Sequence, residues 1–166
     1  MILSVVLLVT ANVGTPVYAA DDYPAQQISV QQRCPVCGMY PARYPGWAAQ
    51  IVFKDLSMTA LESPAELFRF LQNMKKYDAK HSASDIVKIY ATDYEQRSWI
   101  DAKQAFYVQG SRVKGPMGDG LPAFSSKSSA ESFAKQLGGN VMSFDMLASA
   151  GAGNHADHGE HAHDHK

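Results

Sequence analysis

The sequence predicts an α+β fold in which two similar small ββαβ units pack together. Three observations carry this expectation. Short runs of period-two alternation are interspersed with two segments of helical periodicity, each opened by capping residues. The pattern Ser63-x-Ala65-Glu66-x-Phe68 returns 65 positions later as Ser128-x-Ala130-Glu131-x-Phe133. In both halves the elements run strand, strand, helix, strand, the order a duplicated unit would leave.

The elements follow in chain order. Residues 1–19 hold no charged side chain, residues 2–9 are an apolar run, and Val17-Tyr18-Ala19 suits a signal peptidase. We expect cleavage near Ala19 or Ala20 and export to the periplasm, although a positive n-region is missing and the first basic residue is Arg33. The run is too short for a membrane anchor and leads into Asn12, Gly14 and Pro16. No lipid-bearing cysteine lies in it, so the expected product has no membrane anchor.

Residues 20–33 are polar and aperiodic and read as a linker. The first ββαβ half, residues 34–95, follows. Residues 47–54 alternate in a strand pattern, Asp55 can turn the chain, and residues 57–61 return. Ser63-Pro64-Ala65-Glu66 opens a helix: serine at the N-cap, proline at the first helical position, glutamate three after the cap. Leu67, Phe68, Leu71 and Met74 form its apolar face, and residues 86–91 form a strand. Asp93, Glu95 and Asp101 sit near Trp99 in what reads as a solvated loop.

The second half, residues 96–147, has strands at 105–109 and 121–125. Ser128-Ser129-Ala130-Glu131 reads as a second capping box, Gly138-Gly139 as the helix stop, and residues 141–144 as the closing strand. Met58, Met74, Met142 and Met146 fall in apolar patterns and read as core, and His81 as a surface residue. Residues 148–166 read as a disordered tail. It holds His155, His158, His161, His163 and His165 interleaved with carboxylates, a loose multidentate site for Cu(II) or Zn(II).

The chemistry concentrates in Cys34-Pro35-Val36-Cys37-Gly38-Met39. Two thiols three apart can share a metal, and the glycine lets the backbone bend back toward it. A thioether two residues on favours Cu(I), because neutral, polarizable sulfur binds soft cations well and Zn(II) poorly. A structural disulfide is an alternative in an oxidising compartment. Thiol redox chemistry is another, although it wants the second cysteine inside a helix, and Gly38, Pro41, Pro45 and Gly46 forbid one here. Met117 lies in Lys114-Gly115-Pro116-Met117-Gly118, a bent polar loop that offers little core, so a ligand role is open alongside simple packing.

The other function classes fade on composition. Fifteen basic and sixteen acidic residues give a net charge of −1 with no basic stripe, so nucleic acid and anionic membrane are not expected partners. No nucleotide loop, Ser-His-Asp arrangement or carboxylate pair marks an enzyme, and no catalytic residue is assigned.

Taken with Trp99-Ile100-Asp101-Ala102-x-x-Ala105, Gly115-Pro116-Met117-Gly118, Ala123-Phe124, Ala130-Glu131-x-Phe133-Ala134 and Gly138-Gly139, the cysteine motif resembles the NosL family of copper-binding accessory proteins for nitrous oxide reductase maturation. The resemblance spans residues 34–147. It implies two similar ββαβ units, Cys37 and Met39 as Cu(I) ligands, Met117 as a further one with Cys34 secondary, and a client that receives the copper. Many members are lipoproteins, whereas here Cys34 lies too far past the apolar run to carry lipid. The histidine tail is not general to the family and leaves the client's identity open. Two rivals stand beside the copper chaperone: a thiol–disulfide oxidoreductase using Cys34 and Cys37, and a passive metal buffer working through the tail.

Overall fold

The computed structural model of the chain describes residues 23–150. The expected signal segment with its cleavage near Ala19 or Ala20, and the five tail histidines, lie outside the described residues.

In the first unit, β1 (Ala49–Phe53) pairs with β2 (Met58–Leu61) on one side and β3 (Ile86–Thr92) on the other, both antiparallel, and β4 (Trp99–Asp101) adds to the far edge of β3. Between β2 and β3 lie α1 (Pro64–Gln72) and the single turn α2 (Met74–Tyr77). Ser63 caps α1 as expected, its hydroxyl accepting from the Glu66 amide, with Pro64 at the first position. The Glu66 carboxylate does not reach back to complete a capping box and pairs with Arg69 instead, at 2.6 Å.

All five residues of β1 are buried, although its sequence alternates. Ala49, Ile51 and Phe53 enter the core with Leu67 and Phe70 of α1. On the other face the residues expected to form a linker lie along the sheet. Gln50, fully buried, exchanges two hydrogen bonds with the backbone of Gln26, Gln32 donates to the Met58 carbonyl, and Tyr90 donates to that of Tyr23. A polar side chain is tolerated in the middle of a central strand because both ends of its amide are satisfied.

The second unit repeats the topology. β5 (Phe106–Gln109) is flanked by β8 (Ala123–Phe124) and β9 (Asn140–Ser143), again antiparallel, with α3 (Lys127–Leu137) between β8 and β9. The order β8-β5-β9 is the order β2-β1-β3 transposed. The edge strand β4 and the turn α2 have no counterpart in the second unit, which adds instead a hairpin of β6 (Lys114–Gly115) and β7 (Gly118–Asp119) after β5 and a terminal helix α4 (Phe144–Ala150).

Three expectations change here. The cap of α3 is Ser126, whose hydroxyl accepts from the Ser129 amide at 3.1 Å, so the helix starts as soon as the short strand β8 ends and Ser128 lies inside it. Phe68 and Phe133 therefore fall at different distances from their caps, and the repeat resides in strand order rather than in the serine motif. Residues 148–150, assigned to the tail, belong to α4, and Phe144 opens that helix instead of closing β9. Met146 is 53% exposed, not core; Met58 and Met142 are half-buried, while Met74 is buried.

The units share one core. Phe68 of α1 packs edge-on to Tyr107 of β5 and against Phe144 of α4, at ring distances of 5.3 and 5.1 Å. A smaller cluster, Val108, Phe124, Ala130 and Phe133, lies under α3. Asp93 joins the units. It is buried, not solvated, and its carboxylate accepts from the amides of Glu95, Gln96 and Ser125, while Tyr94 N–H donates to the Ala123 carbonyl. Burial opposes ionisation, but the Gln96, Ser125 and Glu95 hydrogen bonds outweigh it and hold this carboxyl below its ordinary range.

His81 is likewise no simple surface residue. Its side chain is 12% exposed, its ring stacks on Phe53 at 3.9 Å, Nδ1 meets Asp78 at 2.8 Å and Nε2 meets Ser57 and Asp55 at 3.1 and 3.4 Å.

Two predictions follow from these contacts. Ser126→Ala should cost about 1 kcal/mol in urea denaturation, whereas Ser128→Ala should stay within about 0.5 kcal/mol. The Asp78 and Asp55 carboxylates raise the His81 pKa above 6.5, with burial opposing them and Lys80 competing for Asp55. The charged form is thus favoured in the native state. Its stabilisation is full below pH 6.5 and disappears as pH rises through the native value. The gap in urea midpoint between wild type and His81→Gln should therefore narrow from pH 6 toward pH 9; a gap that widens would reverse the assignment.

Candidate metal centre

The cysteine motif forms a closed loop at the head of the first unit. The Cys34 amide donates to the Met39 carbonyl and the Gly38 amide to the Cys34 carbonyl, both at 2.8 Å. Gly38 has φ +75°, a conformation that costs an L-residue and lets the chain double back here. Arg33 pins the loop, donating to the Gly38 carbonyl at 3.0 Å and stacking over Tyr40. The chain then enters a short 3-10 turn, Pro41–Arg43, so Cys37 lies in no α-helix and gains no helix-terminal activation.

Both cysteines are unbridged thiols. Cys34 is 1% exposed and part of the core; Cys37 is half-buried against it. Above them stands a residue that sequence reasoning missed. Glu62 follows β2 directly and precedes the cap of α1, with none of its surface exposed. The Cys37 thiol donates to its Oε2 at 3.3 Å, and the Ser63 hydroxyl to its Oε1 at 3.2 Å. The Cys34 sulfur, the Cys37 sulfur and a Glu62 oxygen all lie within 4.8 Å of one another, close enough to share one cation. Sequence offered no signal for Glu62, because an acid beside a helix cap is explained by the helix dipole alone.

Burial favours the protonated form of both thiols. Desolvation pushes the Cys34 pKa up against several lowering hydrogen bonds. Desolvation pushes Cys37 up still further, well beyond the ordinary thiol range, and the side chains of Cys34 and Glu62 add to it. A cation entering here displaces a thiol proton and neutralises the repulsion at the same time.

The remaining sequence-predicted ligands are placed as follows. Met39 is half-buried, two residues beyond Cys37 at the closing hydrogen bond of the loop. Met117 is 54% exposed at the tip of the β6–β7 hairpin, in the two-residue turn Pro116-Met117. It borders a cleft that Ser63, the neighbour of Glu62, also lines. The second unit thus carries Met117 toward the end of β2.

Three comparisons relate the chain to known proteins. The NosL family model matches residues 24–151. The chain is 31% identical over 118 residues to a protein named copper-binding lipoprotein NosL from Stutzerimonas stutzeri, covering 70% of this chain and 62% of that protein. The chain thus spans less than two thirds of that relative's length. A crystal structure named as the copper chaperone NosL from Shewanella denitrificans is similar at a TM-score of 0.66 and 28% identity, covering 77% of this chain and 98% of that one.

Alkylation kinetics test the protonation argument. Iodoacetamide should label Cys37 before Cys34, following exposure, and both more slowly than a free thiol at pH 8. Glu62→Gln removes the negative charge beside Cys37 and should speed its labelling. Unchanged or slower labelling would mean that Glu62 does not hold the thiol proton.

Proposed function

The chain belongs to the NosL family, and from that premise we propose that it is an exported Cu(I) metallochaperone that hands copper to a periplasmic copper enzyme, nitrous oxide reductase in its maturation. The observation that carries the proposal is the convergence of Cys34, Cys37 and Glu62 within 4.8 Å beneath a loop that ends in Met39. The names of the two relatives, a copper-binding lipoprotein and a copper chaperone, support the choice of copper.

Cu(I) is d¹⁰ and accepts two or three soft ligands without strong geometric demands, so it passes between proteins by ligand exchange. In the proposed site Cys37 gives up its proton and binds as thiolate, with Met39 and Met117 as thioethers. Cys37 suits this role because it is half-buried at the mouth, whereas Cys34 is sealed in the core and serves as a secondary ligand. One thiolate on Cu(I) makes a neutral centre, and beside the buried Glu62 that matters: a dithiolate would add a second negative charge to a carboxylate already excluded from water. A neutral, partly open shell also leaves room for a client's sulfur or imidazole to attack. No bond of an organic substrate is made or broken, so the protein acts as carrier, not enzyme. The tail histidines would collect Cu(II) or Zn(II) loosely.

The thiol–disulfide reading is weaker. Its nucleophile needs a depressed pKa, and both thiols here are shifted the other way.

The test is a Cu(I) competition titration on the reduced chain ending at Ala150. About one equivalent should bind, with Zn(II) far weaker. Cys37→Ala should abolish tight binding and Cys34→Ala weaken it less. Met117→Leu should lower affinity by roughly one to three orders of magnitude, about 1.4–4 kcal/mol, with an unchanged thermal melt because the side chain is largely exposed. Equal, total loss from either cysteine variant would establish a dithiolate instead.

A further inference from the structure

A further buried carboxylate stands in the first turn of α1. Glu66 is 1% exposed. Its Oε1 is taken by Arg69 at 2.6 Å, and its Oε2 is closed off from solvent with no hydrogen-bond partner. A buried carboxylate oxygen without a donor is strongly unfavourable, and native proteins rarely keep one without a use for it. Glu66 lines a cleft of about 220 Å³ together with Trp47, Ser63, Arg69, Met117 and Leu121. The first unit supplies one wall from the start of α1, and the β6–β7 insertion supplies the other. Trp47 crosses between them: a Cβ at Gly120 would lie 2.7 Å from its ring, so the glycine is what allows the indole to close that side.

We propose that this cleft receives a primary ammonium on an alkyl stem, a lysine side chain carried by the protein that takes the copper. The chemistry of the walls selects that group. The Glu66 carboxylate in the cleft lining offers an acceptor and a charge, the indole offers an aromatic surface to a cation, and Leu121 and the Met117 side chain offer apolar contact for the stem. The Ser63 hydroxyl is already committed to Glu62 and does not compete. The cleft shares Met117 with the proposed copper shell, so a partner positioned to draw copper past the hairpin has its own side chains at the cleft mouth. The inference rests on the copper-transfer reading for the identity of the partner, but the recognition of an ammonium can be measured apart from it.

The experiment titrates the reduced full-length chain with N-acetyl-lysine-N-methylamide, with its norleucine analogue and with n-butylammonium. The Trp47 indole and Met117 methyl resonances are followed by NMR, and a Cu(I) competition titration is run on the same preparations. The lysine compound should shift both resonances saturably, and the norleucine compound, equal in stem but uncharged, should not. Glu66→Gln should weaken the lysine compound at least tenfold while its Cu(I) affinity stays within threefold of wild type. Arg69 is the ion-pair partner of the buried Glu66 carboxylate, so a thermal melt precedes the titration of Arg69→Gln. The substitution frees Glu66 from its competing cation and should tighten the lysine compound severalfold. Equal response to lysine and norleucine compounds, undiminished binding in Glu66→Gln, or no gain in Arg69→Gln overturns the proposal. Tighter binding of n-butylammonium than of the lysine compound overturns the partner-borne source in favour of a free amine. Failure of the Cu(I) titration alone, with ammonium recognition intact, would count against the copper reading and not against the cleft.

Discussion

The Asp93 carboxylate is the joint on which the two units turn. It is buried at the point where β3 has ended and the chain has yet to form β4, and it collects three amide donors, one of them from Ser125 beyond β8. The adjacent backbone bridges to Ala123, so the end of the first sheet and the edge of the second are held in one hydrogen-bonded knot. Because the carboxylate is fully paired, its burial costs little; because it is charged, it cannot be left unpaired by a slip of register. The shared aromatic core, with Phe68 between Tyr107 and Phe144, joins the same two units by packing. The position of the β6–β7 hairpin relative to α1, and so of Met117 relative to Ser63, depends on this junction.

The candidate metal centre follows a different physical rule. Its groups are held by shared protons: the Cys37 thiol donates to Glu62, and the Ser63 hydroxyl donates to the same carboxylate. Soft sulfur supplies the affinity in the proposed site, and the carboxylate sets the charge that the incoming ion meets. Glu66, in the first turn of α1, is raised in pKa chiefly by its own burial and then by the neighbouring Glu62, with Arg69 opposing both.

Much of the fold was legible because local rules and tertiary packing agree there. Ser63 and Pro64 start α1 where the capping pattern placed it, and the strand, strand, helix, strand order of both halves is present in each sheet. The disagreements arise where several residues satisfy one rule. Ser126, Ser128 and Ser129 can all cap a helix, and only the length of β8 selects Ser126. Residues 23–33 have no periodicity because they bond through side-chain amides and carbonyls rather than through a strand ladder, so polarity alone suggested a linker. The cysteine loop was visible from spacing and glycine placement. Glu62 and Asp93 were not, since a carboxylate buried by distant parts of the chain carries the same letter as one in water. His81 hid for the same reason, its partners Asp55, Ser57 and Asp78 being ordinary turn residues in sequence.

The segment that precedes the cysteine loop has a mechanical meaning. It is stitched to the first sheet at Tyr23, Gln26 and Gln32 before the chain reaches Arg33. A pull on the chain ahead of Tyr23 is therefore borne first by the half-buried Tyr90 hydroxyl and then by the buried Gln50 amide, and reaches the loop only after those hydrogen bonds break. The segment works as strain relief on a cable does, leaving the sulfur atoms slack and correctly spaced whatever tension the preceding chain transmits.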